Sequence, residues 1–303
     1  MRNRFLFLCQ GGSGYLKLAF IGAGKVGRSF GYYLKANGFD VIGYSSRTKE
    51  SEELAAKETD SSVVTREELL NKADLIFITT PDSEISKVCD EVANNIGFKE
   101  NHTLVHMSGG LSSKELKSAK DQGASTYSLH PLQSFANVQK AIQDLEKTFF
   151  TLEGEGDKAK LIKLFEKLNN PYVEIDPEKK SLYHGAASIA SNYLVALTNI
   201  ALRLLEDCGF KREEALGVAG TLMEGTMNNI QNYDTVEALT GPIARGDAST
   251  VDKHLKTLET EGYDRILEIY RLLGLETVEI AYKKGLSEEE VIKLNKLLES
   301  NND

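Results

Sequence analysis

An apolar run, Leu16, Leu18, Ala19, Phe20 and Ile21, ends in Gly22-Ala23-Gly24-Lys25-Val26-Gly27, and a second apolar run, Val41 to Tyr44, follows. A strand that enters a Gly-x-Gly-x-x-Gly turn and leaves it as a helix is the arrangement that seats a dinucleotide pyrophosphate on a helix N-terminus. Gly22 permits the tight turn, Gly24 lets the backbone approach phosphates with no Cβ between, and Gly27 lets helix and strand pack closely. Residues 22–27 are therefore predicted to bind a nucleotide cofactor.

The end of the second strand selects the dinucleotide. Proteins that bind NAD usually place an acidic residue there to accept from the ribose 2′-hydroxyl, whereas this chain has Ser45-Ser46-Arg47-Thr48. Hydroxyls and a guanidinium donate to a 2′-phosphate through charge-assisted bonds worth roughly 1.5–3 kcal/mol each. Ser45, Ser46 and Arg47 thus favour NADP(H); the alternative for Arg47 is a solvated position at the start of a surface helix.

The chain has 303 residues, enough for two domains with their own cores. A formal net charge of −9 and the lack of a basic stripe argue against nucleic acid as a partner. Cys9, Cys89 and Cys208 stand far apart, with no metal-ligand spacing, which fits a reducing cytoplasm rather than a disulfide or zinc framework. No apolar stretch free of polar breaks reaches the roughly 18–20 residues of a membrane span. Residues 1–15 imitate a signal peptide too short in its apolar part, and are read as an extension outside the fold.

Beyond the second strand, β-rich runs at 74–80, 103–107, 124–129, 148–152 and 172–175 alternate with charged helical segments, which predicts a mostly parallel, doubly wound sheet over 16–176. From Pro177 the pattern becomes helical only, predicting an all-α domain over 177–303 for substrate binding or dimerisation. Its first helix, 186–205, is apolar on nearly all sides and is expected to be buried at the domain's centre. Further helices are predicted at 213–227, 249–258, 263–273 and 287–298, the last from a capping sequence at Ser287.

Chemistry is expected where the strand ends face the helical domain. After one strand comes Thr79-Thr80-Pro81-Asp82, where Thr80 and Pro81 would line the nicotinamide end or form a plain loop. After the next comes His106-Met107-Ser108-Gly109-Gly110, where Ser108 is a candidate ligand and His106 reads as an interior histidine. His130, at a third strand end and fixed by Pro131, is placed to bond the oxygen of a carbonyl or alcohol. His184, Ser188 and Asn192 recur every fourth residue, so they share one face of an apolar helix and call for polar partners. Arg245, in Leu239-Thr240-Gly241-Pro242-Ile243-Ala244-Arg245-Gly246-Asp247, either clamps a carboxylate or pairs with Asp247.

Taken in order, the glycine turn, Thr79-Thr80-Pro81-Asp82, His106-Met107-Ser108-Gly109, His130-Pro131-Leu132-Gln133-Ser134-Phe135, the stretch Tyr183 to Leu194 and the loop Leu239 to Asp247 resemble a bacterial family of Rossmann-like proteins. Its members carry a helical C-terminal domain long described as of unknown function, and the resemblance runs from Leu16 to the C-terminus. Some members are taken to be an alternative form of ketopantoate reductase, the NADPH-dependent enzyme of pantothenate biosynthesis. The resemblance implies reduction of a small 2-oxo acid; the residues themselves suggest His130, His184 or water as the proton source at the oxygen, Asn192 orienting it and Arg245 on the carboxylate. The related 2-dehydropantoate and β-hydroxyacid group carries Lys-x-x-x-Asn on its central helix; here the pair is Ser188-x-x-x-Asn192, without the lysine. Prephenate dehydrogenases carry a similar His-Pro after a late strand, which keeps hydroxy-acid oxidation as an alternative, beside a non-catalytic NADP(H)-binding sensor. The helical domain is compatible with a homodimer.

Overall fold

The computed structural model describes residues 16–299. The predicted extension 1–15, with Cys9, lies outside the described residues. The first compact unit runs to Ile189 and is built on one eight-stranded sheet of order β3-β2-β1-β4-β5-β6-β7-β8. Its strands are β1 Lys17–Ile21, β2 Asp40–Ser45, β3 Ser62–Val63, β4 Leu75–Ile78, β5 Thr103–His106, β6 Ser125–Pro131, β7 Phe150–Glu155 and β8 Tyr172–Glu174. All neighbours pair in parallel except β6 and β7, which run antiparallel from Thr126↔Glu155 to Pro131↔Phe150. The carboxyl ends of β1, β2, β4, β5 and β6 therefore share one edge, which is where a doubly wound sheet binds ligands.

β4 and β5 are buried along their whole length. Strands covered on both faces read as continuous apolar runs, which is why they are legible in the sequence. One face carries an aromatic core, with Phe20 stacked between Tyr44 and Phe77 at 5.0 and 5.1 Å and Phe30 edge-on to Phe77 at 5.3 Å. The other is aliphatic, built on Ile21, Ile76, Ile78 and Leu104. The crossover helices are α1 Lys25–Ala36, α2 Lys49–Thr59, α3 Arg66–Lys72, α4 Asp82–Asn95, α5 Lys117–Asp121, α6 Val138–Leu145 and α7 Ala159–Leu168. The two-residue β3 is exposed and too short for a periodic signal, so the sequence does not announce it.

α8, Lys180–Ser188, belongs to this first unit: the division falls after Ile189, within a helical stretch, rather than at Asp176. A π turn, Ile189–Tyr193, follows directly and leads into α9, Leu194–Asp207. The helical unit then holds α10 Arg212–Ala238, broken at Asp234 where φ is 68°, α11 Ala248–Thr260, α12 Asp264–Lys284 and α13 Glu288–Leu298. Ser287 caps α13 as predicted: its hydroxyl accepts from the Glu290 N–H while the Glu290 carboxylate accepts from the Ser287 N–H.

One expectation about the long apolar helix is corrected. It is not buried: Leu202 is the one buried side chain of α9, while Ile189, Tyr193 and Val195 are 60% or more exposed. Apolarity on all sides says that something must cover a helix, but not that the same chain does. The stretch Pro177–Asp207 contains an 18-residue window with a mean hydropathy of 1.3, which is long and apolar enough, by length and composition only, to cross a membrane.

Candidate functional site

Gly22 takes φ +113°, its N–H donates to the Ser45 carbonyl at 2.8 Å, and its carbonyl accepts from Thr79 Oγ1 at 2.9 Å. A Cβ on Gly22 would stand 2.7 Å from the Thr79 carbonyl carbon, and one on Gly27 would stand 2.5 Å from Thr79 Oγ1. Gly24 differs: a Cβ there would meet no protein atom. Two glycines are thus required by packing against β4, while the third faces open space at the start of α1.

That space is a cavity of about 510 Å3 lined by Gly22, Ala23, Gly24, Ser45, Ser46, Arg47, Thr80 and Pro81, all predicted from sequence. Lys25, Val26, Gly27 and Ser108 do not line it. Lys25 Nζ donates to the Ala136 carbonyl at 2.8 Å, and Val26 packs against the aromatic core. The sequence reading missed Arg66, the first residue of α3, on the same wall. Arg66 Nη1 pairs with Glu91 at 2.9 Å, and its buried Nε has no partner among the described residues. Thr80 Oγ1 is likewise buried and unpartnered on this wall. The open space at Gly24, the orphaned Thr80 hydroxyl and two guanidiniums fit a phosphorylated dinucleotide.

From the cavity wall, Pro81 leads into Asp82, whose carboxylate accepts from Ser108 Oγ at 2.7 Å. Ser108 Oγ also accepts from the Gly110 and Leu111 N–H groups at 3.2 and 3.1 Å. The Ser108 hydroxyl thus gives its proton to Asp82 here, and its lone pairs hold the Ser108–Leu111 turn. His106 is interior, as read. Its Nδ1 accepts from the Ser108 N–H at 3.2 Å, which places the ring proton on Nε2, facing the Ser112 carbonyl at 3.0 Å. Burial holds its pKa down at about 4, so it stays neutral.

The turn presents Gly109 to two histidines. A Cβ on Gly109 would stand 2.8 Å from His130 Nε2 and 2.7 Å from His184 Nδ1. The rings lie 6.3 Å apart between centroids and cross at 78°. His130, from the end of β6, is half-buried; its Nδ1 meets the Tyr183 hydroxyl at 2.6 Å. Burial first, then the charge of Lys180, lowers its pKa to about 4. His130 is therefore a neutral imidazole near pH 7. Nε2 faces Gly109; in the tautomer in which Tyr183 donates to Nδ1, Nε2 carries the proton and is a hydrogen-bond donor.

Ser188 is half-buried at the end of α8. The π turn that follows breaks the 3.6-residue period on which its shared face with Asn192 was argued. Asn192 stands in that turn, and Arg245 is exposed at the end of a 3-10 turn, Ile243–Arg245; both belong to the helical unit. Asp247 caps α11, its carboxylate taking the Thr250 N–H at 3.0 Å, and makes no ion pair with Arg245 among the described residues.

Residues 12–131 match the model of a Rossmann-like domain, and residues 148–277 that of a domain of unknown function, DUF2520. The protein TM1727 from Thermotoga maritima is 30% identical, with 86% of this chain and 98% of that chain covered at a TM-score of 0.65. BF3122 from Bacteroides fragilis, provisionally designated an NADP oxidoreductase, is 21% identical over 88% and 98%, also at 0.65. A pyrroline-5-carboxylate reductase from Coxiella burnetii is 12% identical over 95% and 100%, at 0.60, and shares the fold. No curated protein matches the sequence. The chain belongs to the family that joins a Rossmann-like domain to the DUF2520 helical domain.

Proposed function

We propose that this chain is an NADPH-dependent reductase of a small 2-oxo acid, with ketopantoate, reduced to pantoate, as the substrate. The observation that carries the reading is the convergence of His130 Nε2 and His184 Nδ1 over Gly109, on a turn tied through Asp82 to the wall of the dinucleotide-sized cavity. Gly22, Gly24 and Gly27 would hold the pyrophosphate, and Ser46, Arg47 and Arg66 the 2′-phosphate. The chemistry brought by a bound nicotinamide is hydride donation to the ketone carbon.

His130 does the rest from the protein's side. Neutral Nε2–H donates to the ketone oxygen and stabilises the negative charge that develops there, as a neutral imidazole can. The proton that completes the alcohol comes from solvent, and the Tyr183 hydroxyl, 2.6 Å from Nδ1, holds the ring in place. Asn192 and Arg245 are proposed from the sequence as ligands of the oxygen and of the carboxylate.

The test is loss of reduced-nicotinamide absorbance with ketopantoate, beside a panel of other 2-oxo acids, with NADPH and NADH in parallel. Ketopantoate is expected to be the fastest substrate with NADPH and to turn over at least about 10²-fold less efficiently with NADH. Arg47→Ala should raise the KM for NADPH by about 10–100-fold, one or more lost charge-assisted bonds, and leave that for NADH unchanged. Binding of NADPH with no turnover across the panel would overturn the reductase reading and favour the sensor.

We also propose that two copies associate through the helical unit. Tyr193, Val195, Leu216, Val218, Leu222 and Met227 are each more than 40% exposed. With Leu194, 40% exposed, they leave large apolar side chains of the π turn, α9 and α10 bare, the kind of surface that marks an association site. A symmetric pair covers the same patch on both copies at once. Light scattering after size exclusion should give twice the 33.5 kDa chain mass, and Leu222→Glu should return a monomer; a monomeric wild type, or one soluble only with detergent, would refute this.

A further inference from the structure

Lys180 begins α8, where its side chain is buried to 2% exposure. Its ammonium has one hydrogen-bond partner, Ser128 Oγ at 2.8 Å, and no ion pair among the described residues. Ser128 Oγ passes its own proton to the Ser108 carbonyl at 3.3 Å, one residue before Gly109. Ser128 also lies two residues before His130 on β6, on the same face of the strand. One side chain thus ties together the three segments that meet over Gly109: the helix carrying Tyr183 and His184, the strand carrying His130, and the turn carrying Gly109.

We infer that Lys180 is the positioning residue of this site, gripping the turn through Ser128 and setting a fixed positive charge behind His130. The charged and titratable groups around it are Tyr183 and His184 on α8, His130 on β6, His106 on β5, Glu153 on β7 and Asp82 on α4. Glu153 is buried opposite Ser128, but its two oxygens are taken by the Ser113 N–H and hydroxyl at 2.7 and 2.8 Å. It offsets the lysine charge through space and does not bind it. Burial lowers the Lys180 pKa to about 8, so the ammonium remains charged near neutrality.

The charge has two effects on the chemistry. It adds to burial in disfavouring imidazolium, so His130 keeps the neutral form that donates from Nε2. It also favours any negative charge that gathers where Nε2 points, on a substrate anion or on the reduced oxygen. A buried cation without a bonded anion is costly to the fold, and replacing one by an apolar side chain of similar length is often neutral or stabilising. A merely structural lysine would not combine such a cost with this location.

The inference rests on the reductase reading for its kinetic part only. Histidine ring signals of the apoprotein, followed against pH by NMR and assigned with His130→Gln, read the charge directly. Lys180→Met should move the His130 titration upward by about half a unit or more, whereas Lys180→Arg should leave it near the wild type. Ser128→Ala, which keeps the ammonium and cuts the grip, should leave the titration in place. In turnover, Lys180→Met should lower kcat by about 10²-fold with the NADPH KM within about twofold, at an unchanged or raised melting temperature. Lys180→Arg should recover part of that loss, and Ser128→Ala should lower kcat.

An unmoved His130 titration in Lys180→Met, or a full kcat in that variant, would overturn the inference. Should Lys180→Met fail to fold, Lys180→Arg and Ser128→Ala still decide it: full kcat in Ser128→Ala refutes the grip. Should the wild type reduce no 2-oxo acid, the proposed function fails and the titration alone judges Lys180.

Discussion

Gly109→Ala is expected to lower turnover by about 10²–10³-fold while NADPH binding and the fold survive. The new methyl would occupy the point where two imidazole nitrogens converge, under 3 Å from each. His130 is held by Tyr183 and by its strand, so the exposed His184 gives way first, and its displacement relieves the crowding at little cost to stability. What does not survive is the space in which a ketone oxygen would meet Nε2–H, and a displacement of about 1 Å there is enough to cost 10²-fold. Steady-state kinetics beside NADPH titration separate the outcomes. An alanine variant with wild-type kcat would show that no reacting group passes over Gly109, and the proposed chemistry would be misplaced.

Gly22→Ala should be the most damaging change in the cofactor half. Its φ of +113° strains any residue with a side chain, and the methyl would press on the backbone of Thr79, which cannot swing aside. Strain and overpacking together cost about 2–5 kcal/mol, a fall in melting temperature on the order of 5–15 °C for a chain of this size. NADPH affinity should fall with it. Gly24→Ala is the informative contrast, because its methyl meets nothing in the protein: stability should hold while NADPH binding weakens. If Gly24→Ala destabilised the fold as much as Gly22→Ala and spared binding, the cavity at the start of α1 would not be the pyrophosphate site.

These two glycines also mark what could be read before the fold was known. Gly22 and Gly24 stand in a pattern whose spacing carries its own mechanism, and His130 stands beside a proline at a strand end, so local sequence pointed to them. Gly109 was legible only as a glycine after a strand; that it lies between two imidazoles depends on α8 returning 70-odd residues later. Lys180 was nearly hidden, since Glu178-Lys179-Lys180 reads as a solvated run in which no side chain is marked to turn inward. Arg66 was hidden the same way, in the charged start of α3. The expected lysine on the central helix was sought four residues before Asn192. The lysine that the fold supplies lies one turn before His184, an i, i+4 relation that would have been the one available clue. The apolar helix misled for a different reason: hydropathy records the need for cover but not its source.

The π turn at Ile189–Tyr193 has a consequence for how this helix can vary. A π turn amounts to one extra residue accommodated in a helix, and one residue corresponds to about 100° of rotation. The repeat of positions in Lys180–Ser188 and the repeat in Leu194–Asp207 therefore need not follow one register along the sequence. Each half can keep its own repeat of apolar and polar positions, so the pattern suited to a chemical site and the pattern suited to an association surface need not compete for one set of turns.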